Sequence, residues 1–432
     1  MFKTLAAVVL LCASLPTHVM GLSVATNDAV SATSNGAPNQ VIQWNKTLLV
    51  ILRTPHSQPA NLHPTRSYAM LHVAIYDAVD AIDGGNALYR VAPPFVSPRA
   101  SKEAAAAVAA HDVLSTLYPS FQSQLDAQLQ QALSEIPASK NKDDGISIGK
   151  IVAAQIVALR VHDGDDPTLA PYVPSGDPGN YQLTPPNFAP AQFTQWAKIT
   201  PWALSKSSQF RPGPPPALSS DEYTTVYSEV KSIGFIDSTT RTQEQTVIAK
   251  FWNGNIQNYW NEITQTAALS HQLNLTDSAR LFALVNLSLA DSVIAFYDAK
   301  YVYQFWRPVT AIREAADDGN PNTDPDPNWL PLNTKTAPDP SYPGAHSAIS
   351  FAGAEVLRSF FGDQFDFSVT SEVLPGVMRD FHSFSAAAEE AGVSRIYAGQ
   401  HFRSDHVAGR DLGGNVGNLV FKSLLLPRQP LI

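Results

Sequence analysis

Residues 277–306 read DSARLFALVNLSLADSVIAFYDAKYVYQFW, and this apolar stretch decides the fold. Its length and composition predict one long helix. The run from 281 to 296 comes nearest to the length that crosses a bilayer, but Asn286, Asp291 and Ser292 interrupt it. The sequence therefore predicts no membrane span.

Helical spacing of apolar residues also dominates the chain on both sides of this stretch. No run of alternating strand character and no repeat of fixed period is present, so the predicted fold class is all-α, with antiparallel helical bundles and long Pro-rich loops. The predicted helices are 40–54, 65–82, 104–117, 121–136, 146–162, 220–232, 241–262, 277–306, 345–361, 369–391 and 404–424.

Two Pro-rich stretches, 163–218 and 316–343, separate groups of helices. The first is too long for an ordinary loop, which predicts a segment that wraps over the helices or covers a site. It could also be a linker between domains. Neither flank looks complete alone, so we expect a single all-helical domain over 41–432.

The N-terminus has the pattern of an export signal. Lys3 precedes an apolar run from 5 to 15, and small residues follow near Gly21, which predicts a signal peptide at 1–21. A buried N-terminal helix is the alternative. Residues 22–40 predict a flexible segment. The expected location is therefore periplasmic or extracellular.

Charge narrows the class of partner. The 432 residues carry a formal net charge of −9 at pH 7. An acidic protein lacks the basic surface that nucleic-acid binding requires, so we expect no nucleic-acid partner. The sequence does not predict the oligomeric state.

Lys300 and Arg307 form the first candidate motif. They are seven residues apart, which places both on one face if the helix continues to Pro308. Cations on an apolar helix are costly unless they meet anions. Ion pairs with Asp298 or Asp291 are the alternative to ligand binding.

The segment SYPGAHS at 341–347 is the second motif. It opens the helix predicted over 345–361, and the free amides and dipole of a helix N-terminus favour an anion. Gly344 permits close approach of the backbone. His346 in the first turn could exchange a proton with a bound group or could simply cap the turn.

The segment SRIYAGQHFRSD at 394–405 is the third motif. Gly399 predicts a turn that lets His401 face inward, and Asp405 follows one helical turn later. A carboxylate on one ring nitrogen sets the tautomer and leaves the other nitrogen free to attack or to bind a metal centre. His406 is expected to be structural.

Each motif is ambiguous alone, but their order resembles the superfamily of vanadium-dependent haloperoxidases, non-specific acid phosphatases and lipid phosphate phosphatases. The signature spans 300–405, which is the region expected to hold the site within 290–410. Further segments resemble the exported, haloperoxidase-like branch of that superfamily: VIQWN at 41–45, HPTR at 63–66, YDAV at 76–79 and FWRP at 305–308.

The resemblance implies a role for each motif residue. His401 would be the axial ligand of vanadate, and hence the metal ligand, or the nucleophile on phosphorus. His346 would be the acid–base residue, and Asp405 would orient His401. Five positions would contact the oxygens of the anion through cationic side chains or backbone amides: Lys300, Arg307, Gly344, Ala345 and Arg395. Fixed cations suit a trigonal bipyramidal centre whose charge lies on equatorial oxygens.

The chain departs from the family pattern at three positions. The family usually has Ser-Gly where this chain has Gly344-Ala345, which removes a hydroxyl donor. The position seven before His346, where haloperoxidases often carry an aromatic residue or His near the halide, is Asp339. A carboxylate there would repel halide.

The first hypothesis is a vanadate-dependent peroxidase that uses hydrogen peroxide to oxidise a halide or a small organic substrate such as a sulfide. The second is an acid phosphatase in which phosphate occupies the same site and a phosphate ester forms a phosphohistidine at His401. The third is an exported anion-binding protein without catalysis.

Overall fold

The computed structural model describes residues 38–161, 163 and 171–428. Within these residues the protein is helical apart from one short hairpin, so the predicted all-α class is confirmed. The helices are α1 (Gln40–Arg53), α2 (Pro64–Asp83), α3 (Lys102–Leu117), α4 (Gln122–Ser134), α5 (Lys140–Leu159), α6 (Asp221–Ile233), α7 (Gln243–Phe251), α8 (Ile256–Ser270), α9 (Leu275–Tyr303), α10 (Pro308–Arg313), α11 (Ala345–Phe361), α12 (Phe384–Tyr397) and α13 (Arg403–Ser423). The hairpin pairs β1 (Gln364–Thr370) antiparallel with β2 (Met378–Ser383).

Helix α9 lies at the centre of the fold. The side chain of Asn274 caps its first turn, and every residue from Leu281 to Lys300 is buried. It packs against α2, α11 and α13. Among the described residues α9 is the one helix long and apolar enough to cross a bilayer, but its most apolar part is 94% buried inside the protein. Such burial is what a core helix requires.

Helices α11 and α13 approach each other closely along a row of glycines. A Cβ at Gly413 would lie 2.1 Å from the carbonyl oxygen of Ala348, and one at Gly409 would lie 2.4 Å from that of Gly344. Only glycine allows this contact. The close packing brings the first turns of both helices together.

The helix predicted over 369–391 was wrong in its first half. Residues 364–383 form the hairpin, with Phe367, Val369 and Phe381 buried on one face. Alternating burial is the pattern of a strand pair with one face on the core. The helix predicted over 241–262 is interrupted at 252–255, where α7 ends and α8 begins.

The segment 171–218 runs over the C-terminal half of α9. Its Trp202 to Leu204 amides donate to Asp291, and Arg211 pairs with Asp298 at 2.6 Å. The hydroxyl of Tyr342 donates to Gly213, which ties the segment to the second motif. The described residues all belong to one compact unit. The signal peptide and most of the predicted flexible segment lie outside the described residues and stay predictions.

Candidate oxyanion site

The three motifs meet beneath the 171–218 segment. Nη1 of Arg307 lies 3.1 Å from Nε2 of His401, and Nζ of Lys300 lies 3.1 Å from the carbonyl oxygen of Ser341. Charge on Arg307 and Arg395 acts on the ring of His346. The described structure thus gathers two histidines and three cations from α9, the loop before α10, α11, α12 and the loop before α13.

Arg307 reaches the site by a different route from the one predicted. Helix α9 ends at Tyr303, Gln304 adopts a left-handed conformation with φ +47°, and Arg307 precedes α10, which begins at Pro308. The prediction that Lys300 and Arg307 share one helix face was therefore wrong. A left-handed residue ends the helix, and the turn after it redirects the guanidinium.

Asp339 is the anionic partner of both cations. Nη2 of Arg307 donates to its carboxylate, Nε of Arg307 lies 2.8 Å from its carbonyl oxygen, and Nζ of Lys300 lies 3.7 Å from Oδ2. Burial would raise the pKa of Asp339, but Lys300 and Arg307 outweigh burial and lower it. The pairs with Asp298 or Asp291 that the sequence allowed do not form, because Arg211 and three loop amides hold those carboxylates.

The tautomer of His401 follows from its neighbours. A guanidinium can only donate, so Nε2 of His401 accepts from Arg307 and the ring proton lies on Nδ1. Oδ2 of Asp405 accepts that proton at 3.0 Å and also accepts from the amide of Phe402 and the hydroxyl of Ser341. Burial and then the charge of Arg307 lower the pKa of His401 well below 6.5. The imidazole is neutral, with a lone pair facing the cations.

Gly344 and Ala345 differ in what they offer an anion. The amide of Gly344 donates to the carbonyl oxygen of Asp405 at 2.8 Å, so its predicted role as an oxyanion donor was wrong. The close packing of α11 on α13 commits the Gly344 amide to this hydrogen bond. No side chain caps α11, and the amide of Ala345 is the first of its free turn. That amide suits an anion, as does the helix dipole.

His346 is the second residue of α11 and is half-buried. Its Nε2 lies 3.0 Å from the carbonyl oxygen of Trp252, which only accepts, so Nε2 carries the proton and Nδ1 carries the lone pair. Burial, followed by Arg395, lowers the pKa of this ring well below 6.5. A neutral imidazole held by one nitrogen can accept a proton at the other.

Among the three cations of the site, Arg395 makes the fewest hydrogen bonds with the described residues. It lies in the last turn of α12, Nη1 donates to Oδ1 of Asn253 at 2.8 Å, and Nε is buried without a hydrogen-bond partner among the described residues. Burial, and then Arg307, lower its pKa to about 10. A buried donor of this kind fits a bound anion.

Sequence reasoning missed Asn253 and the role of Ser341. Asn253 lies in the break between α7 and α8 and accepts from Arg395 and Asn333. Ser341 opens the SYPGAHS segment and bonds Asp405, so its place in that motif was the available signal. The complete set fits a tetrahedral oxyanion: three cations, a neutral ring nitrogen and an unpartnered guanidinium N–H.

Comparison with known proteins agrees with this geometry. Residues 280–428 match the family profile described as the VCPO second helical-bundle domain. The chain is 25% identical to vanadium chloroperoxidase of Curvularia inaequalis over 501 aligned positions, covering 87% of this chain and 80% of that protein.

Solved structures agree as well. The structure of the first bacterial vanadium-dependent iodoperoxidase superposes with a TM-score of 0.78 at 26% identity, covering 90% of this chain and 96% of that one. A holo-type bacterial vanadium-dependent chloroperoxidase gives a TM-score of 0.64 at 18% identity over 86% and 96% of the two chains. The second likeness concerns the fold alone.

Proposed function

We propose that this chain, which belongs to the superfamily of vanadium-dependent haloperoxidases and acid phosphatases, is a vanadate-dependent peroxidase. It would use hydrogen peroxide to oxidise a halide or a small organic substrate such as a sulfide. One observation carries the proposal: the unprotonated Nε2 of His401 faces the buried guanidinium of Arg307, beside Arg395 with its unpartnered Nε.

The side chains divide the work. His401 would hold vanadate through Nε2, while Asp405 keeps the ring proton on Nδ1. The positive charges of Lys300, Arg307 and Arg395, with the Ala345 amide, would neutralise the oxygens without reorganising. Bound vanadate supplies an electrophilic centre that activates peroxide for oxygen transfer to the substrate.

His346 would move the proton of this reaction. Trp252 holds the proton on Nε2, so Nδ1 carries the lone pair and would take a proton from peroxide. Arg395 beside it disfavours the imidazolium, which favours early release of that proton.

A phosphatase is the second candidate, and Asp339 is the observation that favours it. Its carboxylate lies against Lys300 and Arg307, where it would repel a halide. In this candidate Nε2 of His401 would form the bond to phosphorus as the bond to the leaving oxygen breaks, and Nδ1 of His346 would take the proton of a monoanionic ester and pass it to that oxygen. Idle buried cations would be costly, which argues against the form of the third hypothesis in which the site has decayed.

One experiment separates the two enzymes. The purified protein is loaded with orthovanadate and assayed for bromide, iodide and sulfide oxidation by peroxide, and the unloaded protein is assayed for hydrolysis of an aryl phosphate. We expect oxidation of at least one of the three substrates that depends on vanadate and is absent in His401→Ala. Ester hydrolysis without any such oxidation would favour the phosphatase.

Export is a separate proposal that rests on Lys3, the apolar run after it and the small residues near Gly21. Expression of the full chain in a secreting host, followed by N-terminal sequencing of the exported product, should give a start near residue 22. Retention of residues 1–21 in a protein found only in the cytosol would contradict it.

A further inference from the structure

Asp339 is a buried carboxylate that the proposed reaction does not use. It is 5% exposed, and its two closest charged neighbours are Arg307 and Lys300. We infer that Asp339 is a built-in counter-ion that makes the site select singly charged tetrahedral oxyanions over doubly charged ones. The inference rests on the proposed function, because it concerns the anion held at His401.

The charges of the site support this selection. Lys300, Arg307 and Arg395 are cationic. Asp339 pairs with the first two, and Asp405, hydrogen-bonded to His401, acts on the same two through its charge. Both imidazoles are neutral. The site therefore carries one net positive charge, which a monoanion neutralises and a dianion overshoots. Uncompensated charge in a buried site is costly, so the monoanion is favoured.

The hydrogen bonds of Arg307 also support the selection of singly charged anions. Nε and Nη2 bind Asp339, and Nη1 is directed at Gln400 and His401. Asp339 thus binds the side of the guanidinium that lies away from His401. An incoming anion at His401 would meet Arg307 already paired with a carboxylate, and the two negative charges would act on each other through it.

The other groups that face Asp339 do not cancel its charge. Tyr297 on α9 donates to it, and its carboxylate acts on Tyr181, Tyr301 and the ring of His63. Burial keeps these phenols neutral by raising their pKa, and burial lowers the pKa of His63 to about 3. Lys300 and Arg307 are therefore its only charged partners among the described residues.

The test uses tetrahedral anions whose charge does not depend on pH, so that the variant changes only the protein. Perrhenate carries one negative charge and sulfate carries two. Their affinities are measured by isothermal titration calorimetry at neutral pH for the wild type and for Asp339→Asn, a nearly isosteric variant that can still accept from Arg307. Because Coulomb energy is proportional to the ligand charge, the factor gained for sulfate should be roughly the square of the factor gained for perrhenate. We expect about tenfold for perrhenate and about a hundredfold for sulfate.

Two control variants match this substitution. Asp339→Glu keeps the charge and should leave the ratio of the two affinities close to that of the wild type. Asp298→Asn removes a carboxylate two residues from Lys300 on α9 that pairs with Arg211, and it should also leave the ratio unchanged. Thermal melts confirm that each variant is folded.

The wild type is also informative without any variant, since it should bind perrhenate at least as tightly as sulfate. Equal gains for both anions in Asp339→Asn, or no gain, would overturn the inference while leaving the proposed function intact. If the wild type binds none of the three anions, vanadate, perrhenate and sulfate, the proposed function is overturned and the inference with it.

Discussion

Nη1 of Arg307 lies 3.1 Å from Nε2 of His401, and the same Nη1 lies 3.0 Å from the carbonyl oxygen of Gln400. One N–H of the guanidinium therefore points at the lone pair that would bind the vanadium centre. Arg307 keeps this nitrogen unprotonated and would exchange the contact for an oxygen of the bound anion. Arg307 thus sets the protonation state of His401 and also contributes a positive charge to the anion site.

His401→Ala should abolish both vanadate binding and turnover, because among the described residues His401 is the ring that lies within hydrogen-bond distance of Arg307. Binding is measured by calorimetry with orthovanadate. His111→Gln is a suitable control, since His111 pairs with Asp112 on α3 and Asp126 on α4 and should leave affinity unchanged. An unaltered vanadate affinity in His401→Ala would remove His401 as the ligand.

Loss of the Lys300 proton should weaken anion binding at alkaline pH. Burial lowers its pKa to about 8, although Asp339 works in the opposite direction. The bound anion requires the charged ammonium, so above this pKa binding must take up a proton. The apparent affinity for sulfate should then fall about tenfold per pH unit from pH 8 up to the onset of Arg395 titration. Lys300→Met should bind more weakly at neutral pH and lack this fall. A wild-type affinity that stays level up to about pH 9.5 would contradict the role of the Lys300 ammonium in anion binding. The titration stops there because Arg395, with its pKa lowered to about 10, begins to lose its own proton above that pH.

His346→Ala should affect chemistry more than binding. The ring is neutral and anchored by Trp252, and general acid–base groups of this kind contribute about 10²–10⁴ in rate. Steady-state turnover should fall by that range, while calorimetry should find a much smaller loss of vanadate affinity. Preserved turnover with lost affinity would reassign His346 to binding.

Substitutions at Gly344 test whether the serine hydroxyl that the family usually carries there would strengthen anion binding. A Cβ there would lie 3.2 Å from the carbonyl oxygen of Asp405 and 3.3 Å from Oγ of Ser347, so any side chain crowds the start of α11. Gly344→Ala and Gly344→Ser share this crowding, and both should melt below the wild type. The hydroxyl adds a hydrogen bond worth about 1.5–3 kcal/mol to a charged oxygen. The Ser variant should therefore bind vanadate about tenfold or more tightly than the Ala variant. Equal affinities would mean that position 344 does not face the anion.

The sequence by itself determined most helices and the set of chemical groups. Helix α11 begins and ends where its apolar spacing predicted, and α1, α2 and α13 differ from prediction by one residue at each end or less. Local patterns suffice there because capping, apolar spacing and helix-ending residues act within a few positions. For the same reason the Asp405 carboxylate was predicted one turn from His401, and the structure has them 3.0 Å apart.

Tertiary structure alone decided which charges meet. Asp339 is 32 residues from Arg307, and no local pattern pairs them in preference to Asp298 or Asp291, which are closer in sequence to Lys300. The 171–218 segment occupies those two carboxylates and leaves Asp339 for the site. The glycine contact of α11 with α13 likewise commits the Gly344 amide to Asp405. Such choices depend on which buried polar groups have partners left after the chain has packed, and this is a property of the whole fold.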